Sequence, residues 1–402
     1  MLLDTNKIKN SDISNIFVTT EKVNKGQSVD NAITSLDKIK RPYAFLIIQE
    51  HFRRYQNTIE IVKELSHKKS NSNAVLIIQI AIIMIYFSTK PVHSIVNDSV
   101  EFAKNFKAPG YVNVILRSVL KEKDKFRSAI KEIKIGNEFK RQIIKIYSSK
   151  KIHNFIFNSL DKKPVNYQIS YLDDTQAIYD KRVSIIDDLK KIKKQSWVQD
   201  IGNYECIRSV KKLIKNKNIL DCCAAPGGKS FLLSSFGANV DCIDNQKNQI
   251  EKFKSNADRL ELDLKIKKQD FLRSNFKNVY DCILLDAPCS SLGTFRRNPD
   301  VMLKINKNFL KSKNDKQALM LIHASKMIKP KGYIIYIVCS FHMDETIEVI
   351  DKFLKKNTDF NVIELQSDKL IKKNNGYFTN PLSFKKFGGS DIFYISVLER
   401  KN

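Results

Sequence analysis

Four stretches of the sequence place reactive or ligand-gripping residue types at the ends of apolar runs. Leu220-Asp221-Cys222-Cys223-Ala224-Ala225-Pro226-Gly227-Gly228-Lys229-Ser230 reads as a strand running into a glycine-rich turn and then a helix. Glycines there let the backbone approach a ligand closely, and a helix N-terminus offers free N–H groups. A phosphate loop of the form GxxxxGK[ST] matches the closing Gly228-Lys229-Ser230, but its leading glycine would have to stand at Cys223, so that reading fails on spacing. Asp244 ends the next apolar run and follows Asp221 at close to the roughly 20-residue offset at which an acidic residue grips a ribose in doubly wound nucleotide sites. Asp244 could instead cap a helix; beside the glycine turn, the ribose role is favoured. Asp270, ending a third run, would then lie beside the adenine.

The third stretch, Leu284-Leu285-Asp286-Ala287-Pro288-Cys289-Ser290-Ser291-Leu292-Gly293-Thr294, leaves a fourth strand at the edge where open α/β sheets bind ligands. The fourth, Ile337-Val338-Cys339-Ser340, also ends a strand. Two cysteines at adjacent strand ends could both face one pocket. A cysteine in such a sheet can equally be inert packing, which suits Cys242 and Cys282.

These stretches need a sheet to hold them. Strand candidates run over Ile219–Cys223, Val240–Ile243, Leu264–Lys267, Cys282–Leu285, Tyr333–Val338 and Ile392–Leu398, most of them separated by helical segments such as Lys247–Leu260, Asp315–Ile328 and Asp344–Phe353. The alternation predicts a mostly parallel, doubly wound α/β domain over 201–402. Residues 1–160 differ. They hold only three glycines, and apolar residues recur at helical spacing over Ala44–Arg54, Ala74–Phe87 and Val92–Lys104, predicting an all-α domain. Within Tyr111–Leu120, Val112, Ile115, Leu116 and Leu120 form one apolar stripe, best read as core packing, with Arg117 on another face. The pattern changes after Pro164, so 161–200 reads as a connecting subdomain.

At 402 residues the chain is long enough for two cores, and its 42% hydrophobic content argues for folded ones. Its formal charge of +27 points to a polyanionic partner, nucleic acid before an anionic membrane, although lysine is abundant throughout. The longest apolar run, Ala74–Phe87, falls short of the roughly 20 residues needed to span a bilayer. No signal-peptide core stands at the start, so a cytoplasmic protein is expected. The seven cysteines are odd in number and all lie in the second half, which suits reduced thiols better than a disulfide framework. None shows CxxC spacing and only His323 and His342 accompany them, so no zinc site is expected.

Taken together, DCCAAPGGKS, DAPCSSLGTFRRNPD and the strand-ending VCS resemble the RsmB/NOP (Sun/Fmu) family of S-adenosylmethionine-dependent RNA cytosine-5 methyltransferases. The resemblance is strong over roughly 195–402. It is fainter over the first half, where APGYVNVILRSVL is similar to the NusB-like RNA-binding domain that fronts the bacterial 16S rRNA member. Departures are Cys222, where other residues are common, Val338, where Thr is frequent, and Ser390-Asp391-Ile392-Phe393 in place of Asp-Gly-Phe-Phe. The resemblance implies a Rossmann-like class I methyltransferase fold behind the helical domain. It also implies that Cys223, Ala224, Ala225, Pro226, Gly227, Gly228, Lys229, Asp244, Asp270 and Asp286 contact S-adenosyl-L-methionine or its surroundings. Cys339 corresponds to the nucleophile and Cys289 to the residue assisting product release; spacing alone assigns neither role. The implied substrate is 16S rRNA, free or in a small-subunit precursor, with a target of the position-967 type, and the implied enzyme is a monomer. A tRNA or another rRNA cytosine would need the same chemistry, and an RNA-binding assembly or antitermination factor with an idle methyl-donor fold is the non-enzymatic alternative. A DNA cytosine methyltransferase fits less well, because there the Pro-Cys thiol attacks and Cys339 would have no role.

Overall fold

The computed structural model describes residues 11–66, 71–161, 167–170, 196–275 and 279–402. The pattern change at Pro164, and most of the connection expected over 161–200, lie outside them. Two compact units are present, one of residues 1–140 with 298–303, the other of 141–297 with 304–402.

The first unit is helical among the described residues, with α1 (Asp12–Asn24), α2 (Val29–Ile33), α3 (Arg41–Arg53), α4 (Tyr55–Leu65), α5 (Ser72–Phe87), α6 (Val92–Ala103), α7 (Pro109–Lys121) and α8 (Lys123–Lys131). Ser11 starts α1, its hydroxyl accepting from the Ser14 backbone N–H while Ser14 answers, so two of the helix's unpaired donors are satisfied. Helix α5 carries apolar residues on every side and is buried on every side, as its composition requires. Its one interior polar side chain, Gln79, donates to Thr58 Oγ1 at 3.1 Å. Along α7, Val112, Ile115, Leu116 and Val119 face the core, Leu120 is partly buried and Arg117 is exposed, so the stripe is packing. Asn57 saturates its amide on the far side of the sequence, donating to Ala129 and Glu132 carbonyls and accepting from the Lys134 N–H.

In the second unit, α9 (Asn137–Ile146), which begins in the first, and α10 (Lys150–Phe157) precede a two-stranded ladder of β1 (Tyr167–Ser170) and β2 (Ser196–Gln199). Then follow α11 (Ile201–Ser209), α12 (Lys211–Ile214), β3 (Asn218–Asp221), α13 (Gly228–Ser235), β4 (Asn239–Asp244), α14 (Lys247–Leu260), β5 (Ile266–Lys268), β6 (Tyr280–Asp286), α15 (Lys307–Ser325), β7 (Ile328–Val338), α16 (Ile347–Lys356), β8 (Phe360–Val362), β9 (Leu370–Lys373), β10 (Gly376–Thr379) and β11 (Tyr394–Arg400). The nine-stranded sheet runs β5-β4-β3-β6-β7-β11-β10-β9, with β8 also on β11. From β5 to β7 all pairs are parallel, and the strands after β7 join antiparallel.

The parallel part is the Rossmann-like arrangement expected from the strand and helix alternation. Its central strands, Cys282–Leu285 and Ile334–Val338, are buried on both faces, which is why they read as continuous apolar runs. Helix α14 covers the sheet with Ile250, Phe253, Ala257 and Leu260, spaced three or four apart, and the fully buried Phe253 alone contributes about 1.5–3 kcal/mol. Strands β8, β9 and β10 were not anticipated, being only three or four residues long, with two lysines in β9.

Candidate active site

Parallel pairing brings the carboxyl ends of β3, β4, β6 and β7 to one edge, because Asp221 sits opposite Leu284 and Cys242, and Asp286 opposite Ile337. Every residue expected to do chemistry leaves the sheet there or, for Asp270, two residues beyond β5. The turn after β3 is shaped by Gly227, whose φ of +116° is left-handed and whose missing Cβ would stand 2.1 Å from the Phe231 ring, so no other residue fits. It delivers Gly228 as the first residue of α13 and aims Lys229 at Asp286, Nζ to Oδ2 being 2.6 Å with both largely buried. Burial opposes the Lys229 charge, but the Asp286 carboxylate outweighs it and raises the ammonium above its ordinary pKa.

Asp244 is buried and accepts from two backbone N–H groups, Ala225 on Oδ2 at 3.1 Å and Gln246 on Oδ1 at 2.8 Å. It therefore joins the end of β4 to the glycine turn and leaves lone pairs for a ligand. Asp270 caps a short 3₁₀ turn through the Leu272 N–H. Asp221 accepts from Ser230 Oγ at 2.7 Å, and burial pushes its carboxyl up to about 7 despite that bond. Beneath the turn, Trp197 Nε1 donates to Gln199 Oε1 at 2.8 Å; this fixes the buried amide with Oε1 on the side of Gly228 and leaves its Nε2 without a partner.

Cys289 and Cys339 meet, Sγ to Sγ, at 3.4 Å, and Ser291 Oγ stands 3.5 Å from Cys339 Sγ. Ser291 holds a left-handed φ of 60° to reach that place. Gly293 closes the same loop, its N–H donating to the Cys339 carbonyl at 2.9 Å while its own carbonyl accepts from Ile392 N–H at 3.1 Å. A Cβ at Gly293 would lie 1.9 Å from the Ile392 carbonyl oxygen. The seven thiols are free but unequal. Burial raises the pKa of Cys206, Cys222, Cys223, Cys242 and Cys282, and Cys289 is raised by its bond to Cys339 and by burial. Cys339 alone is lowered, chiefly through its hydrogen bond with Cys289, with Ser291 and the Lys229 charge acting the same way against burial and Asp286.

Sequence reasoning passed over two groups here. Glu345 is fully buried and collects Ser290 and Ser340, and its signal was the Cys-Ser dipeptide repeated at 289–290 and 339–340. Arg297 bridges Asp200 at 2.6 Å and Asp391 at 2.7 Å, joining three segments 94 or more residues apart. Asp391 belongs to the very stretch that departs from Asp-Gly-Phe-Phe, so that departure comes with a partner for Arg297. Among the described residues no three His, Cys, Asp or Glu side chains are grouped to hold a metal ion, and no helix is long and apolar enough to cross a membrane.

Residues 210–399 match the family model described as 16S rRNA methyltransferase RsmB/F, and residues 8–121 match the NusB family. Over its second half the chain is therefore similar to the RsmB/NOP methyltransferases. Among its curated relatives, the ribosomal RNA small subunit methyltransferase B of Photorhabdus laumondii is 29% identical over 51% of this chain and 48% of that protein. The alignment thus spans about half the relative's length. The protein of that name from Vibrio cholerae is 23% identical over 85% of this chain and 88% of its own. In fold, the crystal structure of PH0851 superposes with a TM-score of 0.70 at 17% identity, covering 98% of this chain and 99% of that one. A helical NusB-like first part and a Rossmann-like methyltransferase second part therefore describe this chain.

Proposed function

We propose that the protein is a cytoplasmic, monomeric 16S rRNA (cytosine-5)-methyltransferase dependent on S-adenosyl-L-methionine, with a target of the position-967 type. Residues 1–160 are its NusB-like RNA-binding domain, 161–200 the connection and 201–402 the catalytic domain. The observation that carries the reading is the 3.4 Å thiol pair beside Lys229 and Asp286, in which only Cys339 is held below the ordinary thiol range.

The methyl donor fits the residues present. Asp244 has acceptor capacity left for ribose hydroxyls, Asp270 stands at the next strand end, the 223–229 turn offers backbone N–H groups, and the buried Gln199 Nε2 beneath that turn lacks an acceptor. When bound, S-adenosylmethionine supplies an electrophilic methyl group. The chain supplies the rest. Carbon 5 of cytosine is a poor nucleophile; addition of the Cys339 thiolate at carbon 6 makes it enamine-like. Asp286 is the group to bond the polar edge of the base and favour the protonated adduct. Once carbon 5 is methylated, its proton leaves and the bond to Cys339 breaks, Cys289 assisting. The base must be unstacked to reach the thiols, which suits a loop or single strand.

The test is a pair of variants. Cys339→Ala should lose both methylation and any covalent complex. Cys289→Ala should still attack and then stall, giving an RNA–protein adduct that survives denaturing electrophoresis. The reverse pattern would move the nucleophile to Cys289, and two ordinary enzymes would return both thiols to packing. Bisulfite sequencing of 16S rRNA from a deletion strain reads out the position.

A further inference from the structure

The two thiols meet because something behind them holds both loops. Glu345 Oε1 accepts the Ser290 backbone N–H at 2.7 Å and the Gln317 amide at 3.3 Å, while Oε2 accepts the hydroxyls of Ser290 and of Ser340, the latter at 2.7 Å. Each hydroxyl also accepts a backbone N–H, Leu292 onto Ser290 at 3.4 Å and His342 onto Ser340 at 3.2 Å. Both hydroxyls lie within reach of Glu345 Oε2 and, at 3.2 Å, of each other. Four donors converge on one fully buried group, and an acceptor-only carboxylate is the form that satisfies them. Tyr336 fastens the same residue from below, its hydroxyl donating to the Glu345 carbonyl at 2.7 Å.

We propose that Glu345 is a positioning residue for the reaction: by tying Ser290 and Ser340 to one carboxylate it brings the neighbouring thiols into contact, with Cys289 the hydrogen-bond donor and Cys339 the acceptor. The asymmetry follows from where the charge sits. Glu345 grips the peptide N–H that immediately follows Cys289, and a fixed negative charge there disfavours a second one on that sulfur. The opposite charge, Lys229, favours the thiolate at Cys339. The charged and titratable groups that bear on the two sulfurs are Lys229 from α13, Asp286 from β6, Tyr336 from β7 and Glu345 itself. Glu345 thus selects which of two touching thiols is the nucleophile without meeting the base.

The inference rests on Cys339 as the attacking thiol, and the experiment separates the two claims. Pulsed iodoacetamide labelling of the intact protein across pH 6–9, read at each cysteine by peptide mass spectrometry, measures both thiolates without RNA or methyl donor. In the wild type, Cys339 should label first. In Glu345→Gln, the preference for Cys339 over Cys289 should fall about tenfold, equivalent to one pKa unit between them, with the labelling midpoint of Cys339 moving up. Preferential labelling of Cys289 in the wild type overturns the nucleophile assignment. An unchanged ratio and midpoint in a folded Glu345→Gln protein overturns the role of Glu345 alone. Should Glu345→Gln not fold, Ser340→Ala removes one tie while keeping the carboxylate; a severalfold smaller preference supports the proposal and an unchanged one sinks it.

Discussion

The two units place their buried polar groups at very different distances along the chain. In the helical unit, Glu50 pairs with Arg53 and Arg54, three and four residues on, within and just beyond one helix. In the sheet unit, Lys229 reaches Asp286, Glu345 reaches Ser290, and Arg297 reaches Asp200, partners 57, 55 and 97 residues away. Local pairing supports a scaffold that periodicity already specifies. Long-range pairing occurs where strand order gathers residues that the chain keeps apart, and it is there that reactive groups can be set against one another. The division is not absolute: Asn57 makes its bonds 72 to 77 residues away, Arg54 Nε also donates to the Ile130 carbonyl 76 residues on, and in the sheet unit the buried Glu205 pairs with Arg208 three residues on. The long-range bonds of Asn57 and Arg54 close backbone groups only.

The largest effect expected from this contrast concerns RNA. If the helical unit supplies much of the affinity and the sheet unit the chemistry, binding should weaken roughly a thousandfold between 50 and 200 mM salt for six or so phosphate contacts. Neutralising exposed cations of the first unit, such as Arg117 and Lys121, should flatten that dependence in a filter-binding titration and leave the adduct-forming chemistry intact. A salt-insensitive complex would break the comparison.

Acid should then separate the units by sign. Burial holds His51, in α3, down to about 4, whereas an unfolded histidine titrates near 6.5. The unfolded state therefore takes up the proton first, and the stability present above about pH 6.5 is lost as pH falls toward 4, by about 3 kcal/mol. Asp221 has the reverse shift, to about 7. Its folded form takes up the proton first, so the cost of burying it is relieved as pH falls below about 7. Hydrogen exchange on the whole protein, corrected for intrinsic rates, should show α3 losing protection and β3 gaining it over the same interval. Parallel changes in the two would refute the contrast.

The smallest effect is the most local. Asp244→Ala should weaken the cofactor analogue sinefungin roughly thirtyfold, about 2 kcal/mol for lost charged hydrogen bonds, while leaving RNA binding unchanged. Calorimetric titration measures both; unaltered sinefungin affinity would remove Asp244 from the site.

Legibility in the sequence follows the same division. The stripe of Val112, Ile115 and Leu116, and the span Lys247–Leu260, were readable because a helix repeats its own period. So were the strand ends at Asp244, Asp286 and Cys339, since a continuous apolar run announces a doubly buried strand. The meeting of Cys289 with Cys339 was not readable from spacing, because it depends on β6 and β7 being neighbours. Glu345 looked like one more acid in a charged segment, and its four donors arrive from β7's end, the loop after Cys289 and α15. The short strands β8 to β10 had too few residues to show a period, and only β11 gives β8 and β10 their places in the sheet.

The position of β11 also bears on how the protein is made. It lies between β7 and β10, pairing with both, and the residue two before it, Ile392, bonds Gly293 in the loop that holds the thiols. Yet it is the strand synthesised after all the others described. A ribosome therefore completes Cys289 and Cys339 well before it makes the segment that flanks them, and domains fold as units once their parts are available. Until Tyr394–Arg400 emerges, β7 has an open side and the thiols lack their full frame. The frame around the two thiols thus closes only when this late strand has paired with β7.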